Sequence, residues 1–142
     1  MAALGFRYGE EVTSKMLAAS VKAEPTFIRK SLSKLAKAGL VVTKRGKHGA
    51  SGLARPPAQI TLRDIYLASE APGILGAHTY PVERACPVSV NISECMSGIQ
   101  AATQHSIEAA LAEITLADLL ADIQERMAKT TTGTDFNLPS RF

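Results

Sequence analysis

The sequence predicts a mainly α-helical protein with a small β wing, in which a winged helix-turn-helix is followed by a long dimerisation helix. Three observations predict this fold. An amphipathic basic helix precedes a short hairpin between residues 25 and 55, the positive charge is concentrated in the first 60 residues, and apolar residues recur at helical spacing over residues 92–114. Together they favour a nucleic-acid-binding domain joined to a self-association element.

The central element is a helix predicted over residues 25–38. Proline at position 25 suits the first helical turn, and Gly39 suits the left-handed residue just past the end. Ile28, Leu32 and Leu35 fall at i, i+4 and i+7 and form one apolar stripe. The remaining faces are polar or cationic, with Thr26, Arg29, Lys30, Ser33, Lys34 and Lys37. One face is therefore expected to pack and the other to be exposed and basic.

A hairpin with a basic tip is predicted after this helix. The apolar residues 40–42 begin a strand, and glycines at positions 46, 49 and 52 turn the chain back towards residues 53 and 54. This layout is typical of a winged helix-turn-helix, in which the helix enters the major groove and the wing reaches the backbone or minor groove. The alternative is a solvated helix with a surface loop, because charge runs are usually solvated faces.

The charge is divided unevenly along the chain. Residues 1–60 hold eleven Lys and Arg against three Asp and Glu, a net charge of +8, whereas residues 61–142 hold five against ten, a net charge of −5. A basic half beside an acidic half indicates that only the first half meets a polyanion. No apolar run reaches the roughly 18 residues that span a bilayer, and the start lacks a signal-peptide pattern, so a cytoplasmic protein is expected.

The other elements of the basic half are predicted from capping and breaking residues. Residues 1–8 give a short apolar piece with the character of a helix end, and Thr13 or Ser14 caps a helix over residues 15–20. Residues 21–24 then form the turn before the basic helix. Two prolines at positions 56 and 57 end the wing. Thr61 and Asp64 resemble a capping box that opens a short helix over residues 62–70.

The acidic half predicts an irregular loop and then two helices. Residues 71–90 contain three prolines and two glycines, and Asn91 or Ser93 is expected to cap a helix of more than twenty residues. The stripe of this helix comprises Ile92, Met96, Ile99, Ile107 and Leu111. Thr115 restarts a final helix with a second stripe. Neither stripe has a large partner in the acidic half, so a homodimer is predicted to bury them; packing on the winged domain is the alternative.

These elements divide the chain into four expected parts. A winged helix-turn-helix domain occupies residues 1–68, a connecting loop residues 69–90, dimerisation helices residues 91–128 and a flexible tail residues 129–142.

Several motifs resemble the Rrf2 family of bacterial transcription regulators over about residues 12–128. They are L-x-x-A-G-L at 35–40, R-G-x-x-G at 45–49, L-A-R at 53–55 and I-T-L-x-D-I at 60–65, and C-P-V-x-x-N-I at 86–92 resembles one subgroup. The resemblance implies a winged helix-turn-helix, a long dimerisation helix, and DNA contacts at the start of the recognition helix and in the wing. With the charge pattern, it gives the expected DNA-binding residues Glu24, Thr26, Arg29, Lys30, Lys34, Arg45, Lys47 and His48.

The two cysteines depart from the cluster-binding members that the resemblance implies, which place three cysteines about five residues apart. Here Cys86 and Cys95 have eight residues between them and the chain holds no third cysteine. With His78 or His105 they would be a marginal set of iron ligands, so no cofactor is expected. Cys86 is expected in a loop and Cys95 early in a helix, where the dipole favours a thiolate. Both are redox candidates, and the alternative is that they are only small buried residues.

The leading function is a dimeric, sequence-specific DNA-binding transcriptional regulator, expected to be a repressor controlled by thiol oxidation or a small ligand. Its expected partners are double-stranded DNA and a second copy of the chain, with no membrane. The alternatives are a protein-interaction module with a winged fold and an iron–sulphur sensor regulator. The sequence shows no nucleophile–base–acid set, phosphate loop or metal motif, so an enzyme is not expected.

Overall fold

The computed structural model describes residues 1–44, 49–73 and 81–131. Its helices are α1 (Ala2–Phe6), α2 (Ser14–Val21), α3 (Pro25–Lys37), α4 (Leu62–Ala68), α5 (Pro87–Ala112) and α6 (Leu116–Thr131), and its strands are β1 (Val12–Thr13), β2 (Val41–Lys44) and β3 (Ala50–Leu53), with one 3-10 turn at Pro57–Gln59. The predominance of helix with one small sheet confirms the predicted fold class. Among the described residues, no helix is long and apolar enough to cross a membrane.

Helices α2 and α3 form the predicted helix-turn-helix. The hydroxyl of Thr13 accepts a hydrogen bond from the backbone N–H of Met16 at 3.2 Å, so Thr13 is the N-cap of α2. The helix ends at Lys22, which adopts the left-handed conformation with φ 51° and reverses the chain sharply. Pro25 then occupies the start of α3, as predicted. The short, strongly bent turn brings α3 into packing contact with α2.

The wing is an antiparallel sheet with one strand more than the sequence predicts. Val41 lies opposite Leu53 and Lys44 opposite Ala50 in the β2–β3 hairpin. Strand β1 pairs with the other edge of β3, giving the order β1-β3-β2. Two residues are too few for an alternating pattern, which is why β1 escapes detection in the sequence. The tip of the hairpin, residues 45–48, lies outside the described residues.

One hydrophobic core unites the basic half with the last helix. Its buried apolar residues are Leu4, Val12, Leu17, Leu32, Leu35, Leu40, Val41, Ile60, Ala68, Leu116 and Leu120. Helix α3 contributes two of the three stripe residues predicted for it, and Ile28 packs against the edge of the core. The outer face of α3 is left exposed as a consequence.

Helix α6 belongs to this core, so its stripe packs on the winged domain, as the alternative expectation had it, and is not left for a homodimer to bury. Leu116 is 0% exposed and Leu120 is 8% exposed. The backbone N–H of Leu116 donates to the carbonyl of Ile60 at 2.7 Å, and the N–H of Leu62 donates to the carbonyl of Ile114 at 2.8 Å. These bonds join the start of α6 to the start of α4. The helix also continues through residues 129–131, where a tail was expected, and residues 132–142 lie outside the described residues.

Helix α5 begins earlier than predicted. Cys86 is its N-cap and Pro87 its first residue, so Asn91 and Ser93 are not its caps and residues 88–90 are helical rather than part of a loop. A proline suits the first helical position, because an N–H there would have no partner within the helix and the φ of proline is already helical. Pro87 was therefore a signal for the helix start that the predicted caps did not use. All 26 residues of α5 are described, and none is buried within the chain.

Polar side chains join α5 to α4. Arg63 Nη2 lies 3.1 Å from Glu108 Oε2, and Gln104 Nε2 donates to the Tyr66 hydroxyl at 3.1 Å. The hydrogen bond from Gln104 and then that from Arg63 hold the pKa of Glu108 below its ordinary value. Helix α5 is therefore held beside α4 at one flank, while its other faces are open.

We expect Leu120→Ala to lower the free energy of unfolding by about 2–5 kcal/mol, because the change leaves a cavity in the shared core. Leu67→Ala is the matched control, since Leu67 is a helical leucine that is 48% exposed. Chemical denaturation of both variants measures the difference. Equal losses for the two variants would show that α6 is not part of the core.

Candidate nucleic-acid interface

The outer face of α3 is a cationic surface. Arg29, Lys30 and Lys37 are exposed, and no ion pair within the described part of the chain holds any of the three. Arg29 Nη2 lies 3.4 Å from the hydroxyl of Thr26, one turn earlier, so this guanidinium leans towards the helix start. Lys37 lies close enough to Glu70 to interact with its charge, whereas Arg29 and Lys30 are the more open cations. Exposed cations are available to phosphate groups, which supply most of the affinity of such surfaces.

The start of α3 combines hydrogen-bonding side chains with free backbone donors. Glu24 is the N-cap and its carboxylate makes no capping hydrogen bond, and both Glu24 and Thr26 are exposed. The first N–H groups of a helix lack intrahelical partners and attract anions. A carboxylate can accept a hydrogen bond from the amino group of cytosine, and a hydroxyl can either donate or accept a hydrogen bond. The helix start therefore has the groups needed to distinguish base edges.

Lys34 differs from the other predicted DNA-binding residues of α3. Its ammonium lies 2.9 Å from Glu70 Oε2 and donates to the carbonyl of Ser69 at 3.2 Å, just past the end of α4. The hydrogen bond and the charge of Lys34 lower the pKa of Glu70. The structure thus brings Lys34 to the C-terminal end of α4 and away from the open cationic face.

The base of the wing is anchored by one ion pair. Lys44 Nζ lies 2.6 Å from Glu11 Oε1, which joins the end of β2 to the segment before β1. The hydrogen bond and then the charge of Glu11 raise the pKa of Lys44. The predicted wing contacts Arg45, Lys47 and His48 lie outside the described residues, directly after this anchored position.

Sequence reasoning missed Phe27. It is the third residue of α3 and 63% exposed, between Thr26 and the buried stripe. The signal was available in the sequence, because a rotation of about 100° per residue places position 27 well off the stripe formed by Ile28, Leu32 and Leu35. An aromatic side chain thus lies exposed in the first turn of a cationic helix.

The predicted dimerisation stripe lies on an open face of α5. Ile99 is 55% exposed, and Ile92, Met96, Ile107 and Leu111 are half-buried. Exposed Cys95 shares a shallow apolar depression with Pro87, Val88, Asn91 and Ile92. The stripe is interrupted between Ile99 and Ile107, where Thr103 lies on the same face, and its last residue, Leu111, borders the side of α5 on which Gln104 contacts α4.

Cys86 and Cys95 cannot pair within one intact helix. They are nine positions apart, which corresponds to about 13.5 Å along the axis and opposite faces. A disulfide needs Cα atoms within about 7 Å of each other. Cys95 also lies nine residues past the N-cap, so the expectation that it sits early in the helix is wrong.

The chain resembles known transcriptional regulators in sequence and in structure. A family model described as "Rrf2: Iron-dependent Transcriptional regulator" matches residues 1–122. The chain is 30% identical over 112 residues to YwnA of Bacillus subtilis (strain 168), named as an HTH-type transcriptional regulator, with 78% of this chain and 83% of that protein covered. A crystal structure of a protein from Lactobacillus plantarum, described as a transcriptional regulator, has a TM-score of 0.74 and 31% identity, covering 86% of this chain and 83% of that one. The structure of T. potens IscR has a TM-score of 0.63 and 27% identity, and the match covers 88% of this chain and 80% of that one.

The residues do not fit an iron centre of the kind that the family description implies. Iron–sulphur clusters are held mainly by three or four thiolates, and this chain has two cysteines. Within the described ranges, no group of three or more His, Cys, Asp or Glu side chains could hold a metal ion. His78 lies outside those ranges. Cys86 and Cys95 are too far apart along α5 to share one cluster.

Proposed function

We propose, from the premise that this chain belongs to the Rrf2 family of transcriptional regulators, that it binds a palindromic operator as a homodimer and represses transcription. Members of this family are DNA-binding transcriptional regulators and not enzymes. The observation that carries the proposal is the open cationic face of α3, held outward by its buried apolar stripe in a winged domain. Occupancy of an operator excludes other proteins from that DNA, so repression requires no further contact.

In this proposal α3 enters the major groove and the wing follows the backbone. Glu24 and Thr26 face base edges, whereas Arg29 and Lys30 contact phosphates or bases beside them. Arg45, Lys47 and His48 continue the contacts into the wing, beyond the ion pair that anchors its base. Lys34 takes part only if its bond with Glu70 opens.

Two copies of α5 form the proposed dimer contact. An apolar stripe on a helix with no fully buried residue in its own chain is best covered by the same stripe of a second copy. A two-fold axis would relate the two recognition helices, and a palindromic site requires them to lie about 34 Å apart. The polar contacts of Arg63 with Glu108 and of Tyr66 with Gln104 would transmit the position of α5 to α4.

We expect DNA binding to weaken steeply with salt. A dimer that uses the cationic residues of α3 and the wing twice would release on the order of 6 to 10 counterions. The logarithm of the affinity should therefore fall steeply with the logarithm of the salt concentration. Selection from a random DNA pool, followed by titration of the selected duplex at several salt concentrations, measures both specificity and slope. A slope near zero, or a pool without any enriched sequence, would contradict the proposal.

We expect Ile99→Glu to give monomers that no longer bind a palindrome, because two carboxylates would face each other across the proposed contact. Ala109→Glu places the same group on an exposed position of α5 away from the stripe, and should leave the dimer intact. Sedimentation and operator binding test both variants. A dimeric, operator-binding Ile99→Glu protein would place the dimer contact elsewhere.

Thiol control is the second part of the proposal. Because Cys86 and Cys95 cannot pair within one helix, the switch would join the Cys95 thiols of two protomers, which lose two electrons and two protons to peroxide as it is reduced to water. The disulfide would shift the two α5 helices and thereby the spacing of the recognition helices. A small ligand bound near α5 is the alternative effector.

Peroxide is expected to lower operator affinity of the wild type and of Cys86→Ser, and to leave Cys95→Ser unchanged. Operator titration with and without peroxide measures this, and non-reducing electrophoresis detects the disulfide. Wild-type binding that is indifferent to peroxide would eliminate thiol control and favour the small ligand.

A further inference from the structure

We infer that Phe27 reads the C5-methyl group of one thymine in each half-site and is a specificity-determining residue of the interface. This inference rests on the proposed function, since it assumes that α3 enters the major groove. It concerns a residue outside the set expected to bind DNA.

The position of Phe27, rather than its exposure alone, carries the inference. Isolated apolar side chains on a surface need no explanation. Phe27, however, lies in the first turn of α3, the part of a recognition helix that reaches base edges, and it is 63% exposed. Lys30 and Lys34, at i+3 and i+7, lie along the same edge of the helix. The ring thus lies on the same edge as one exposed cation, Lys30, and as Lys34, whose ammonium is held by Glu70.

The neighbouring side chains leave this edge of the helix start open. Arg29 leans towards Thr26, on the other side of the outer face. Lys34 is drawn to Glu70 and to the carbonyl of Ser69, at the end of α4. Lys30 remains exposed on this edge, and the ring of Phe27, which lies nearer the helix start, would meet the groove floor on its side of α3.

The chemistry of the groove selects the base. A phenyl ring has neither a hydrogen-bond donor nor an acceptor, so packing it against the polar edge of guanine, cytosine or adenine would leave buried groups unpaired. The thymine methyl is the apolar group that the major groove displays. The ring of Phe27 therefore favours thymine, next to the base that Thr26 or Glu24 contacts.

Replacing thymine by uracil removes only this methyl group, which makes the test specific. Each thymine of a selected operator is replaced in turn, and the affinity of the protein for each duplex is measured. At one symmetry-related pair of thymines, the change to uracil should lower the affinity of the wild type about fourfold per half-site, which is the effect of one buried methyl-sized group. Phe27→Ala should bind the thymine operator more weakly and show no difference between thymine and uracil at that position.

Two further variants keep the result interpretable. Phe27→Leu should retain part of the discrimination, because it keeps an apolar side chain, and Thr26→Ala should retain the thymine preference while losing selectivity at the adjacent base. A uracil scan that is flat for wild type, or discrimination that persists in Phe27→Ala, would overturn the assignment while the proposed function stands. Failure of every duplex to bind would overturn the proposed function and this inference together.

Discussion

The junction between the start of α4 and the start of α6 determines the arrangement of the whole chain. Ile60 and Leu116 are both 0% exposed, and two backbone hydrogen bonds join residues 60–62 to residues 114–116. Since both ends of the intervening segment are fixed at one place, α5 leaves the winged domain and returns to it. Its 26 residues are thereby presented outside the core, and α6 is drawn into it. The core that supports α3 thus depends on the last helix.

Helix α4 connects the two surfaces on which the proposed function depends. On one side, Ser69 and Glu70 just beyond its end bind Lys34 of α3. On the other side, Arg63 and Tyr66 bind α5 through Glu108 and Gln104. These contacts are exposed or half-buried ion pairs and hydrogen bonds, which stabilise the fold only modestly. They matter because of where they lie: in the proposed function, a shift of α5 would reach α3 through the short helix α4.

The recognition surface divides into an open part and an anchored part. At the start of α3, Glu24, Thr26 and Phe27 are exposed and differ in chemistry: an acceptor, a hydroxyl and an aromatic ring. Lys34 and Lys44 are instead held by carboxylates at the edges of the surface. In the proposed complex, the first turn of α3 is therefore the part that reads the bases. The anchored lysines hold that turn and the wing in place relative to the rest of the domain.

Residue patterns within single segments were enough to predict the local elements of this protein. Apolar spacing, Pro25 and Gly39 defined α3, and Thr61 with Asp64 gave a capping box that the structure confirms, because these signals act within a few residues of the chain. The family followed from short motifs in the same segments. Local signals were also sufficient to place most cationic residues of α3 on its exposed face.

Which surfaces of these elements meet is visible only in the folded chain. A stripe at helical spacing looks the same whether it packs on a core or on a second chain, so the sequence could not separate α6, which enters the core, from α5, which does not. The pairing of β1 with β3 joins residues about 38 positions apart and leaves no local trace. The Lys34–Glu70 ion pair joins different helices in the same way. Such long-range contacts depend on how the chain folds back on itself, and that is fixed by the combined packing of all the elements.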